Sequence, residues 1–501
     1  NEKEGILMDK NNGAIYDARK LGKPKMIILG VQHMFAMFGA TILVPILTGL
    51  DISTTLLMAG LGTLLFHCIT KFKVPAFLGS SFAFLGGYAA IKAFSPNDPN
   101  SMLPYACLGV ACAGLIYFIL AAVIKAVGIE KVMRFFPPVV TGPIIIAIGL
   151  GLAPSAVSNC TTNWFLAVVA LAVIVVFNIW GKGMAKIIPI ILGLLISYGT
   201  GLVLYFISQA NPDLIQNVPW LFSGGADANG VYQPIFDFTS LNTICDNISK
   251  GHIFGSEGLI GIPIHWDKTV FGGIDYSNGA LIASSIIAIV PIAFATMMEH
   301  IGDICAISST TGNNYIKDPG LHRTLVGDGL ATTLASLFGG PANTTYGENT
   351  GVLALTRVYD PRVIRIAAYF AVAVSFFPIV SVIIGSIPSC IIGGISFVLY
   401  GMISAIGVRN VVENKVDFTK SRNLIVAAVI LVCALGLSSD TVSFTIGSAA
   451  ITLSPLAVAS IAGIVLNAVF PGKDYKFDTE DVADAVNFEK EVKPKEKKQK
   501  K

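Results

Sequence analysis

Gly340-Pro341-Ala342-Asn343-Thr344-Thr345-Tyr346-Gly347-Glu348-Asn349-Thr350-Gly351 runs directly into Val352-Leu353-Ala354-Leu355-Thr356-Arg357. The stretch lies between two long apolar runs, yet it cannot cross a bilayer as one helix. Spanning takes about 20 mostly apolar residues, and the uninterrupted apolar part here, Val352 to Leu355, is about one helical turn. Irregular polar backbone at membrane depth is tolerated only where protein or a water-filled cavity satisfies it. The stretch therefore reads as a broken segment, an extended piece followed by a short helix opening near Glu348. Such a half-helix offers free N–H donors and the positive end of its dipole, with the Glu348 carboxylate as acceptor beside them. A planar molecule with C=O and N–H groups on one edge can pair with both.

The surroundings are those of a polytopic membrane protein. Of 501 residues, 53% are hydrophobic and only 13% charged, with a mean hydropathy of +0.71. A soluble chain is nearer a quarter charged. Fifty glycines suit close helix packing in lipid. The eight cysteines are scattered without metal-ligand or disulfide-framework spacing, so they read as small core residues. Residues 1–25 are polar and charged, without the short apolar run of a secretory leader.

Fourteen membrane segments are expected, twelve long and two broken. The first seven lie near 26–49, 52–71, 76–94 (broken), 104–127, 136–153, 163–180 and 186–209. The second seven lie near 279–301, 320–339, 342–358 (broken), 362–385, 388–408, 423–439 and 443–470. Alternating the connections between the two sides puts 31 lysines and arginines on one side and only Lys92, Lys250 and Lys268 on the other. By the positive-inside rule both termini are then cytoplasmic. Residues 210–278 form a long polar outer connection, expected to be a small folded cap. Residues 471–501 form a basic cytoplasmic tail, drawn to anionic lipid headgroups rather than to nucleic acid.

The two halves look related. Val74-Pro75-Ala76-Phe77-Leu78-Gly79-Ser80-Ser81-Phe82 opens the third segment as Gly340 to Glu348 opens the tenth. Pro137-Pro138-Val139-Val140-Thr141-Gly142 opens the fifth as Pro388-Ser389-Cys390-Ile391-Ile392-Gly393 opens the twelfth. Seven segments per repeat is odd, so residues 279–470 are expected to be an inverted copy of 26–209. Broken segments at matching places in inverted halves point to a transporter's central site.

The eighth segment carries Thr296, Glu299 and Asp303 at i, i+3, i+7 spacing, on one helix face. Carboxylates about a turn apart repel when both are ionised, so one of them is a candidate to exchange a proton. His33, in Gln32-His33-Met34, is expected near Glu299, because the repeat makes segments one and eight counterparts. His67 and Asp328 read as structural, Asp328 as the partner of a helix terminus.

Glu348-Asn349-x-Gly351-x4-Thr356-Arg357 resembles the signature of the nucleobase–ascorbate transporter family, also called nucleobase–cation symporter family 2. Gln32-His33, Gly79-Ser80-Ser81-Phe82 and Glu299-His300-x-Gly302 are similar to the same family, specifically to its bacterial uracil permeases. The resemblance covers almost the whole membrane part. It implies an all-α polytopic fold with fourteen segments as a 7+7 inverted repeat. Segments one to four and eight to eleven would form a core domain, the others a gate domain. It further implies a homodimer through the gate domains, elevator-like motion and proton symport.

By the same resemblance, Glu299 and Glu348 would accept the N–H groups of uracil, and the backbones of Phe82 and Gly347 would contact it. Phe82 would add apolar contact, with Tyr400 reaching in from the gate. His33, Asn349 and Asp303 would support the site and the proton. No cofactor is expected; sodium stays open as the coupling ion, because carboxylates and carbonyls also hold it. Purine-preferring members commonly have Gln where this chain has Glu348. Asp303, however, stands where the uracil permease pattern has a second His, as in xanthine and urate members. The rivals are thus a purine symporter of the same family and an anion exchanger or channel. The latter calls for a basic site, and neither broken segment holds Lys or Arg before Arg357. No nucleophile–base pair or metal cluster suggests an enzyme.

Overall fold

The computed structural model describes residues 14–437, 443–446 and 449–472. The lysine-rich tail and the first thirteen residues lie outside these, as does the Glu348 side chain.

Residues Lys23–Thr48 form α1 and Ile52–Ile69 form α2. Pro24 opens α1, where a missing N–H costs nothing. Gly49, at φ +84°, ends it, a conformation that only glycine adopts freely. The Asp51 carboxylate then caps α2 by accepting from Thr54 N at 2.8 Å. The third segment is broken as expected, into β1 (Leu78–Ser80) and the short helix α3 (Leu85–Lys92). Leu103–Val127 is α4, Pro138–Cys160 α5, Trp164–Trp180 α6 and Pro189–Ala210 α7. The connection after α7 is folded, with a two-stranded ribbon of β2 (Ser223–Ala226) and β3 (Tyr232–Pro234) and a helix α8 (Thr239–Ser249).

The second half begins with α9 (Gly279–Ile289) and α10 (Ala293–Thr311), joined through a tight turn at Val290–Ile292 that contains Pro291. The eighth segment is therefore longer than expected, and Glu299 and Asp303 lie in its second part, beyond the break. Leu321–Leu337 is α11, and the tenth segment is β4 (Asn343–Thr345) followed by α12 (Gly347–Thr356). Segment eleven departs from expectation. It consists of α13 (Pro361–Ser375) and α14 (Pro378–Gly385), bent by 87°, because Pro378 cannot donate into a continuous helix. Ser389–Glu413 is α15 and Ser421–Gly436 is α16.

Segment fourteen is also corrected. Instead of one span from 443, the chain makes β5 (Ser443–Ile446) paired with β6 (Ala449–Thr452), and only then α17 (Pro455–Val469). Ser454 caps α17 and Pro455 opens it, so the helix has no continuation upstream. Among the described residues the fold is thus mostly helical with three small ribbons, rather than all-α outside the two broken segments.

Seven helices among the described residues are long and apolar enough to cross a membrane, or eight if α13 and α14 count as one bent span. The protein is a multi-pass membrane protein. One set of helices packs α11 against α4 and α2, α13 against α2 and α1, and α9 against α4. The other packs α15 along α5, α6 on α7 and α15, and α16 on α17 and α5. Glycines allow the closest approaches. A Cβ on Gly114 would stand 2.7 Å from Gly329 O, and one on Gly329 2.6 Å from Gly114 O, so α4 and α11 touch backbone to backbone. That embrace explains how α11, rich in Thr and Gly and containing Asp328, lies buried at all.

A strap before α1 ties down one end of the first set. Ile15 N donates to Arg357 O and Tyr359 N to Ile15 O, each at 2.8 Å. Ala18 N reaches Asp360 Oδ2 at 2.8 Å, Arg362 pairs with Asp17 at 3.0 Å, and Tyr16 OH donates to Thr311 O at 2.6 Å.

Candidate functional site

The two broken segments meet. β1 and β4 pair antiparallel, Leu78 opposite Thr345, Gly79 opposite Thr344 and Ser80 opposite Asn343. Backbone groups on the outer edges of this ribbon would be costly in lipid, and neighbouring side chains satisfy several of them. Thr63 Oγ1 accepts from Leu78 N at 2.9 Å, and Asn343 O accepts from Thr332 Oγ1 at 2.5 Å. His67 Nε2 sits 2.9 Å from Ala76 O, a structural task in keeping with its expected place. The ribbon is stitched to α1 as well, Ser80 Oγ donating to Thr41 O at 3.0 Å, and Tyr346 OH ties the two broken segments together by donating to Ser80 O at 2.9 Å. A Cβ on Gly79 would stand 2.4 Å from the Tyr346 ring, so only glycine fits there.

The ribbon aims the first turn of α12 at α10, against which α12 packs. Gly347, the first residue of α12, is exposed, and a Cβ on it would lie 3.5 Å from Asp303 Oδ1. A carboxylate beside a helix N-terminus is favourably placed. Glu299, one turn earlier on α10, is half-buried like Asp303. On this face of α10 Thr296 is buried, Glu299 and Asp303 are half-buried, and Asp303 lies beside the exposed start of α12.

Behind this face lies a connected set of polar groups that the sequence reading only partly named. Thr345 Oγ1 donates to Asp303 Oδ2 at 2.9 Å and stands 3.3 Å from His300 Nδ1. His300 Nδ1 in turn is 3.4 Å from Asp328 Oδ2, with both side chains fully buried. Asp328 thus faces the histidine of α10. Tyr117 OH, from α4, donates to Thr296 Oγ1 at 2.6 Å. His300 was visible beside Glu299 in the motif, but neither Thr345 nor Tyr117 carries a sequence signal of its own.

The remaining expected residues fall as follows. Phe82, just past β1, and Tyr400, on α15, are both buried and meet edge to face with ring centroids 6.2 Å apart. The two helix sets therefore touch through this ring pair. Asn349, in the first turn of α12, and His33, on α1, are buried, and their side-chain nitrogens and oxygen have no hydrogen-bond partner among the described residues. α1 packs against α12, but no contact between His33 and Glu299 is among those described. Among the described residues no three of His, Cys, Asp or Glu cluster to hold a metal.

Two broken segments that pair through short buried strands among membrane-crossing helices, with carboxylates beside one half-helix, define a membrane transporter of the broken-helix class. The solved transmembrane domain of a cyanobacterial bicarbonate transporter, BicA, has a similar fold: TM-score 0.54 at 13% identity, over 90% of this chain and 99% of that one. The model of the permease family matches residues 24–443. The uracil permease of Bacillus caldolyticus is 38% identical over 458 residues, 89% of this chain and 92% of the relative. That of Bacillus subtilis (strain 168) is 37% identical over 467 residues, 90% and 94%. The chain belongs to the nucleobase–ascorbate transporter family of permeases, which are transporters and not enzymes.

Proposed function

We propose that this protein is a proton-coupled uracil importer of the plasma membrane, working by an elevator-type alternating-access mechanism. The observation that carries the reading is the exposed start of α12 beside the half-buried Asp303, one helical turn along α10 from Glu299. Free N–H donors and carboxylate acceptors then lie together, as a flat pyrimidine edge requires. Two relatives named uracil permeases support the substrate.

In this reading Glu299 and Glu348 accept the base's N–H groups, and the backbones of Gly347 and Phe82 contact the base. The Phe82 and Tyr400 rings wall it, and His33 and Asn349 support the site. The proton is shared along Asp303, Thr345, His300 and Asp328. Carrying a bare charge through the hydrocarbon costs about 3 kcal/mol or more. Loading a proton with the base lowers that barrier, and release of the base inward lets the proton follow.

The fourteen-segment count belongs to the same reading. It takes the seven long helices, the bent α13–α14 pair, the short apolar α6, α16 and α17, the two broken segments and α11. The first helix set is then the core and the second the gate, with homodimer contact through the gate and both termini cytoplasmic. Asp303 at the α12 N-terminus favours a second reading, a xanthine or urate symporter on the same frame. The anion-exchanger reading is weaker, since Arg357 lies at the far end of α12.

Radiolabelled uracil uptake into proteoliposomes, with and without an inward proton gradient and competed by xanthine, tests the reading. Gradient-stimulated uptake that xanthine leaves unchanged is expected. Vesicles that accumulate xanthine but not uracil would move the substrate to purines.

A further inference from the structure

The connection between α7 and α9 carries an apolar feature that transport does not use. Residues Ile253–Ile262 form a closed finger: Ile260 N donates to Ile253 O at 2.8 Å and Gly255 N to Ile260 O at 3.0 Å. Its polar side is tied back to α8, where Asn247 Nδ2 donates to Glu257 Oε2 at 3.2 Å and His252 N to Asn247 O at 3.0 Å. The other side is apolar and bare: Phe254 is 78% exposed, Ile262 77% and Ile253 51%. Patches of this kind mark interaction surfaces.

The finger's position says what covers it. Gly261 N donates to Phe376 O at 2.9 Å, and a Cβ on Gly261 would stand 2.8 Å from Pro378 Cγ. The finger therefore sits at the bend between α13 and α14. Fifteen residues carry α13 about 22 Å along its axis. On the reading proposed above, in which α13 crosses the membrane, the 87° turn brings the apolar α14 close to the bilayer plane, with Phe376, Phe377 and Ile383 exposed. The finger lies against the end of α13, which the same reading puts at the membrane boundary. Close by in sequence, Trp266 stacks on Phe271 at 6.0 Å, and Trp266 and Tyr276 are well exposed, as aromatic residues at a membrane–water boundary are.

We propose that the 253–262 finger is a membrane-anchoring element, with Ile253, Phe254 and Ile262 inserted into the lipid interface on the side of the 211–278 connection. Its partner is the boundary between phospholipid headgroups and acyl chains, not another protein. The anchor holds the second half of the connection at a fixed depth beside α2 and α14. Thr54 Oγ1, which donates to Pro263 O at 2.7 Å, fastens the finger's base to α2.

The test uses full-length protein in nanodiscs of phosphatidylcholine with brominated acyl chains, which quench tryptophan only on contact. Phe254→Trp is the reporter and Ile262→Trp the second, should the first fold poorly. Asn229→Trp, in the exposed turn after β2, is the control for the water side of the same connection. Each is read as the difference from the parent protein with its native tryptophans. A residue seated at the headgroup–acyl boundary should lose more of its added emission to brominated lipid than to aqueous iodide, while Asn229→Trp should do the reverse. Iodide quenching at both finger positions without bromine quenching would overturn the proposal. So would protection from both quenchers, which would mean that protein covers the patch.

Discussion

Replacing Thr345 with valine separates the proposed proton path from the substrate site. Thr345 Oγ1 donates to Asp303 Oδ2 at 2.9 Å and stands 3.3 Å from His300 Nδ1. Valine keeps the branched shape, and the backbone pairing with Leu78 does not depend on the hydroxyl. What is lost is one hydrogen bond to a carboxylate and the bridge to the histidine. Such bonds contribute about 1.5–3 kcal/mol. Because Asp303 is only half-buried, the lower end applies, about 1.5–2 kcal/mol, or roughly 10- to 30-fold at 1.4 kcal/mol per decade. Gradient-driven uracil uptake by Thr345→Val should fall by that factor. Exchange of internal for external uracil, which needs no net proton release, should stay within about twofold of the parent, since the bond lost lies off the base. The assay is uptake and counterflow in the same proteoliposomes. Equal loss in both modes by a protein of unchanged melting temperature would refute the reasoning and put the hydroxyl on the substrate. Full driven uptake would remove Thr345 from the path.

Gly79→Ala puts a methyl 2.4 Å from the Tyr346 ring and 2.7 Å from Thr41 Oγ1, with the ring held by its bond to Ser80 O. A cost of about 1–3 kcal/mol is expected, read as a lowered melting temperature in detergent; an unchanged one would mean that the crossing yields. The strap before α1 should be insensitive to pH across the physiological range. The Arg19 guanidinium beside Asp17 holds its carboxyl well below the usual carboxylate range, helped by Arg362. A lowered value in the folded state means that the contribution is present above the ordinary value near 3.8 and lost only as pH falls through the folded one. Hydrogen exchange at Tyr359 N, corrected for its intrinsic rate, should therefore be flat from about pH 5 to 8 and faster in Asp17→Asn. A marked acceleration on acidifying to pH 5 would contradict this.

The broken tenth segment could be read from the chain because its composition is wrong for lipid in only one place. Pro341, Gly347 and Glu348 cannot lie on a lipid-facing helix, and the matching Pro75 to Phe82 named their partner. The face carrying Thr296, Glu299 and Asp303 followed from helical spacing. The contact of His300 with Asp328 did not follow, because it depends on how far α11 enters between α2 and α4, and that is set by glycines whose packing partners lie over 200 residues away. The bend at Pro378 and the ribbon at 443–452 were missed for another reason. Both lie in apolar sequence that satisfies a hydropathy criterion while forming no straight helix.

The pairing of Leu78 with Thr345 also bears on how the chain is made. At synthesis rates of roughly 5–20 residues per second, the strand that completes β1 leaves the ribosome tens of seconds after β1 itself. During that interval β1 has no partner, and in lipid each unpaired backbone group would cost several kcal/mol. The first half therefore cannot settle as a finished unit. Its third segment has to wait in a wet or proteinaceous shelter until the second half arrives, so a chain stopped between the halves would keep β1 unpaired.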